Sequence, residues 1–79
     1  MATKELIDHV NEMIDITSGK AAVIVNDRID VMLATNATGV HLGLNDLSIY
    51  DARTICGDKY IVGATVHSLK EAKQAATAG

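Results

Sequence analysis

Three observations in the sequence predict an α/β fold with a parallel sheet. Short runs rich in Val and Ile begin near Ala22, Val40 and Ile61, about 20 residues apart, which is the length of one βα unit. The segments between and around them carry apolar residues on a single helical stripe. Helix-capping residues stand at the joints, most plainly the S-x-x-E capping box Ser68-Leu69-Lys70-Glu71. The expected order is one helix followed by three strand–helix pairs, three parallel strands and four helices in all, joined by right-handed crossovers.

Each element has its own signal. Thr3 is placed to cap a first helix whose Leu6, Ile7, Val10, Met13 and Ile14 form one stripe, and Ser18-Gly19 ends it. Ala21–Val25 lacks polar alternation and reads as a strand covered on both faces. Asn26-Asp27 stops it, and Asp27 can cap a helix over Arg28–Asn36 with Ile29, Met32 and Leu33 inward. Gly39–Gly43 is the second strand. The loop Asn45–Ser48 ends in a good cap, and Ile49, Ala52 and Ile55 line the third helix. Gly57-Asp58 turns the chain into a third strand over Tyr60–Val66, and the last helix runs to about Thr77.

Composition narrows the function. The 79 residues form a single domain and are too few for any complete large fold. A hydrophobic fraction of 48% excludes disorder, and no apolar run approaches the ~18 residues of a membrane span. The segment Met1–Glu5 lacks a secretory apolar core, and the single Cys56 suits a reducing cytoplasm. Seven basic against ten acidic side chains, a net charge of −3, argue against nucleic acid or a membrane surface as partner. With no Phe, no Trp and two Tyr, the core is aliphatic, so the chain either packs very regularly or relies on contacts from outside itself.

Chemistry is expected at the carboxyl ends of the strands, where parallel α/β folds bind their ligands. Asn26 and Asp27 follow the first strand, Asp46 follows the second, and Thr65 and His67 close the third. Asp27 and Asp46 on neighbouring strand ends would repel one another, and a hard divalent cation converts that repulsion into a binding site for Mg²⁺ and a phosphate. The plainer reading is that both cap helices. Thr65 offers a hydroxyl to an anion or is simply a β-branched strand residue, and His67 is either an acid–base group or a locally bonded side chain. His41 reads as a satisfied interior residue, His9 as an ordinary helix residue, and Cys56 as a small apolar one. Motifs for P-loop, dinucleotide or zinc binding are absent.

Three blocks taken together resemble the thiamine-phosphate synthase family. They are Val25-Asn26-Asp27-Arg28-Ile29-Asp30, then Gly39-Val40-His41-Leu42-Gly43 with Asp46, then Gly63 through Ala72, matching in order and separation over about residues 21–79. The resemblance implies part of a (β/α)8 TIM barrel, from an enzyme that joins hydroxymethylpyrimidine pyrophosphate to thiazole phosphate with release of pyrophosphate. By that resemblance Asn26 contacts substrate, Asp27 and Asp46 hold Mg²⁺, and Thr65 stands where the family has a Ser touching the substrate's pyrophosphate or pyrimidine. Leu44 departs from the family Gln at its position, which puts substrate specificity in question. The family's earlier and later strands lie outside the match, so a truncated or inactive fragment is expected, and its open strand edges point to a homo-oligomer. Two alternatives stand beside this: a thiazole tautomerase, with His67 moving the proton, and a non-catalytic oligomeric module.

Overall fold

The computed structural model describes residues 2–79 and contains seven elements in the expected order. These are α1 (Thr3–Thr17), β1 (Ile24–Asn26), α2 (Ile29–Ala34), β2 (Gly39–Leu42), α3 (Ile49–Cys56), β3 (Ile61–Ala64) and α4 (Leu69–Ala78). The strands form one parallel sheet in the order β1-β2-β3. Val25, Val40 and Val62 stand in register, flanked by the registers Ile24–Gly39–Ile61 and Asn26–His41–Gly63.

Strand geometry makes successive side chains point to opposite faces, and here the two faces have different fates. Val25, Val40 and Leu42 are buried against the helices, with Val31, Met32, Ile29, Val10 and Ala52 completing the core. Met32, Leu42, Val31 and Val40 are the largest fully enclosed side chains, each contributing about 1.5–3 kcal/mol by leaving water. The opposite face lies open. Ile24 is 41% exposed and Ile61 53% exposed, so the expectation that the first strand is covered on both faces is not met within these 79 residues. Between them Gly39 lets β2 and β3 close up, because a Cβ there would collide with the Ile61 carbonyl.

β1 begins later than its sequence run, at Ile24. Just before it, Val23 donates its N–H to the Thr38 hydroxyl at 3.1 Å, and its carbonyl accepts from Thr38 N–H at 2.8 Å. The helix starts also differ in part from expectation. Ala2, rather than Thr3, is the residue preceding α1, and the Thr3 hydroxyl instead accepts from Arg28 Nη2 at 2.8 Å. Ser48 and Ser68 cap α3 and α4, accepting from Asp51 N–H and Glu71 N–H at 3.1 Å each. The Ser68 hydroxyl also donates to the Glu71 carboxylate at 3.3 Å, so the reciprocal contact runs through the two side chains and not through the Ser68 N–H of the standard capping box. Met13, Leu33 and Ile55 turn outward, because each helix buries a narrower stripe than its apolar residues span.

Arg53 ties the amino-terminal end of β3 to the last turns. Its guanidinium donates to the carbonyls of Tyr60 at 2.6 Å, Gly79 at 2.8 Å and Gly57 at 3.1 Å. Three acceptors for one fixed fork hold α3, β3 and α4 in one arrangement.

Candidate functional site

The carboxyl ends of the three strands share one rim, and most of the residues singled out in the sequence meet there. Asn26 closes β1 on the open face, and the chain then turns into α2 within two residues. Asp27 makes that turn with φ 64°, a left-handed backbone that Asp tolerates better than most side chains. Its N–H donates to the His41 carbonyl at 2.8 Å, and its own carbonyl accepts from Ile29 N–H at 2.9 Å. The backbone, not the side chain, thus serves the start of α2, where no side-chain cap is formed. The carboxylate is left free to face the rim.

Asp46 is held by a different device. Its Oδ2 accepts from Gly43 N–H at 2.6 Å, and its own N–H donates to the Gly43 carbonyl at 3.2 Å, closing a tight turn after β2. Capping of α3 falls to Ser48, so neither acid is spent on a helix end. The two acids stand on neighbouring strand ends: hydrogen bonding with Asp46 is the main cause that holds the exposed Asp27 carboxyl above its ordinary pKa, and lost hydration and the Asp46 charge push the same way. Arg28 opposes the shift only in part, because its guanidinium is bidentate to Asp30 at 2.8 and 3.0 Å.

Beyond the acids, the open face carries a row that sequence reading only half found. His41, taken from the sequence as a satisfied interior residue, is satisfied but sits on the open face between Asn26 and Gly63. Its Nε2 lies 3.0 Å from Thr65 Oγ1. Alternation was the available signal: Val40 and Leu42 point to the helices, so His41 between them must point away. Thr65 extends the β3 ladder by donating its N–H to the Leu42 carbonyl at 3.1 Å. Asp46, Thr65 and Leu44 line a cleft of about 340 Å³, walled by Tyr50 and Val66 and reaching Glu71 and Gln74 on α4. His67 stands exposed in the β3–α4 connection and is not among the residues lining that cleft.

This placement invites comparison with known proteins. A family model described as thiamine monophosphate synthase matches residues 1–79. The chain belongs to the thiamine monophosphate synthase family. The thiamine-phosphate synthase of Methanosarcina mazei is 46% identical over 78 residues, covering 99% of this chain and 32% of its own length. That of Clostridium novyi is 39% identical over 80 residues, covering 100% of this chain and 39% of its own. Among solved structures, the thiamine phosphate pyrophosphorylase from Pyrococcus furiosus superposes with a TM-score of 0.92 at 38% identity, over 100% of this chain and 39% of that one. The fold is therefore a stretch of consecutive βα units of the (β/α)8 barrel, and the chain spans 32–39% of the length of these synthase-family relatives. In that family setting the open face corresponds to the barrel interior and the rim to the carboxyl-terminal mouth, where barrel enzymes place their chemistry.

Proposed function

We propose that these residues form the magnesium and diphosphate part of a thiamine-phosphate synthase site, which couples hydroxymethylpyrimidine pyrophosphate with thiazole phosphate to give thiamine phosphate and pyrophosphate. One observation supports this reading above the others: Asp27 and Asp46 follow adjacent parallel strands at the same end of the sheet, and the neighbouring Asp46 carboxyl holds that of Asp27 above its ordinary pKa. Both are free of helix-capping duty, and the nearest arginine is occupied by Asp30. Two acids so placed need a proton or a cation between them. The donor set fits Mg²⁺, since it is all oxygen, carries two carboxylates and leaves room for water and a substrate's phosphates. When bound, the ion would neutralise charge gathering on the departing pyrophosphate.

The chain's own side chains supply binding and orientation. Asn26, at the end of β1, presents an amide with two donors and one acceptor to a heterocycle or a phosphate oxygen. Thr65 offers a hydroxyl beside the cleft at the end of β3. Leu44, where the resemblance places a Gln, gives the rim an apolar surface and cannot hydrogen-bond a substrate. The tautomerase reading would rest on His67, but proton transfer on a thiazole does not call for paired carboxylates, so their meeting favours the synthase.

Calorimetry on the full chain tests this, with Mg²⁺ titrated first and inorganic pyrophosphate second. Saturable Mg²⁺ binding, followed by pyrophosphate binding that depends on it, is expected. Both should collapse in Asp27→Asn and in Asp46→Asn. Failure of the unaltered chain to bind pyrophosphate at any Mg²⁺ concentration would overturn the assignment.

A further inference from the structure

The contact between His41 and Thr65 crosses from β2 to β3 on the open face, and the capping, packing and metal chemistry described above make no use of it. His41 Nε2 lies 3.0 Å from Thr65 Oγ1, a hydrogen bond between half-buried side chains 24 positions apart. The ring has a seat because its register partner on β3 is Gly63, where an added Cβ would stand only 3.1 Å from His41 Nδ1. Gly63 thus does for the imidazole what Gly39 does for the backbone: it leaves the space.

A threonine hydroxyl is one donor with two lone pairs, and the neutral imidazole donates from one nitrogen only. Two arrangements are open to such a pair. If Nε2 accepts, the Thr65 proton is consumed and the oxygen shows only lone pairs to the rim, which would repel a phosphate. If Nε2 carries the proton and donates, Thr65 Oγ1 accepts and its own proton is free to point at an anion. Only the second arrangement serves an anion site. We propose that His41 is a positioning residue that donates from Nε2 to Thr65, fixing the hydroxyl so that its proton is presented to a diphosphate oxygen at the rim. This rests on the diphosphate reading above, deepening it by assigning what orients the Thr65 donor.

Two measurements on the full chain decide it. Nitrogen–proton correlation spectra of the histidine rings report which nitrogen of His41 is protonated at neutral pH. A protonated Nε2 whose signals move on Thr65→Val is expected; a protonated Nδ1 with bare Nε2 overturns the proposal whatever the protein binds. Calorimetry with Mg²⁺ and inorganic pyrophosphate gives the second readout. His41→Ala and Thr65→Val should each weaken pyrophosphate binding about tenfold, as expected for losing one hydrogen bond to a charged group. The double variant should lose little more, and Mg²⁺ affinity without pyrophosphate should stay unchanged throughout. His41→Gln, whose amide can donate across a similar reach, should recover part of the loss. Additive losses, or unchanged pyrophosphate affinity in a folded His41→Ala, overturn the proposal. An unaltered chain that binds no pyrophosphate yet carries the His41 proton on Nε2 sinks the diphosphate reading while leaving the hydrogen-bond direction established.

Discussion

The two faces of one three-stranded sheet obey different rules. The helix-side face carries Val25, Val40, Val62 and Leu42, packs against α1, α2 and α3 and holds the fold together. The opposite face carries Ile24, Asn26, His41 and Thr65 with glycines between them, and it is open. A face built for stability fills every gap with branched carbon. A face built for binding keeps space, alternates apolar with polar groups, and ends in two acids that cap no helix. Adjacent residues on one strand therefore meet different surroundings, which is why Val40 and Leu42 on either side of His41 read so differently from it.

Substitutions on the two faces should separate these roles. Leu42→Ala removes a fully enclosed side chain and is expected to cost about 2–5 kcal/mol in denaturant unfolding. Ile61→Thr on the open face keeps the β-branched shape and should stay within about 1 kcal/mol. Comparable losses for the two would erase the distinction drawn between the faces. Asp27→Asn should weaken Mg²⁺ binding by more than the 10–100-fold typical of losing an outer-shell partner, with no loss of stability, since it relieves a like-charge contact. Calorimetry and thermal melts on the same variant check both halves.

Smaller effects should appear with pH. The Asp27 carboxyl sits above its unfolded pKa, so its contribution is unfavourable once both states are ionised. Stability without metal should therefore decline as pH rises through the carboxylate range and just above it, while Mg²⁺ affinity grows over the same interval. Asp27→Asn should flatten both trends. Asp30 has the opposite sign: Arg28 holds its pKa down, so its stabilising effect is present above the ordinary carboxylate value and lost as pH falls below it. Asp30→Asn should match the unaltered chain in acid and fall slightly below it at neutral pH, the smallest difference of the set.

Much of this architecture was legible in the residues. Strand spacing, the Ser48 and Ser68 caps and the placing of Asp27 and Asp46 at strand ends follow from local pattern, which is where sequence carries most information. Features depending on a partner strand were not legible. That Val23 would give its N–H to the Thr38 hydroxyl could not be read from Ala21–Val25 alone. A continuous apolar run also looks the same whether one face or both are covered, so the open face came only from register and exposure. His41 reads from the sequence as a satisfied interior residue for the same reason: its surroundings depend on Gly63 and Thr65, more than twenty positions downstream.

The left-handed turn at Asp27 has a consequence for what chemistry can ever stand there. Its φ of 64° admits Gly, Asn and Asp with little penalty and disfavours longer side chains. Within that short list a single member is anionic. A glutamate would keep the charge and lose the conformation, while asparagine would keep the conformation and lose the charge. The bend in the main chain and the identity of the acid are thus tied together: among the residues this turn favours, aspartate alone supplies both the conformation and the charge.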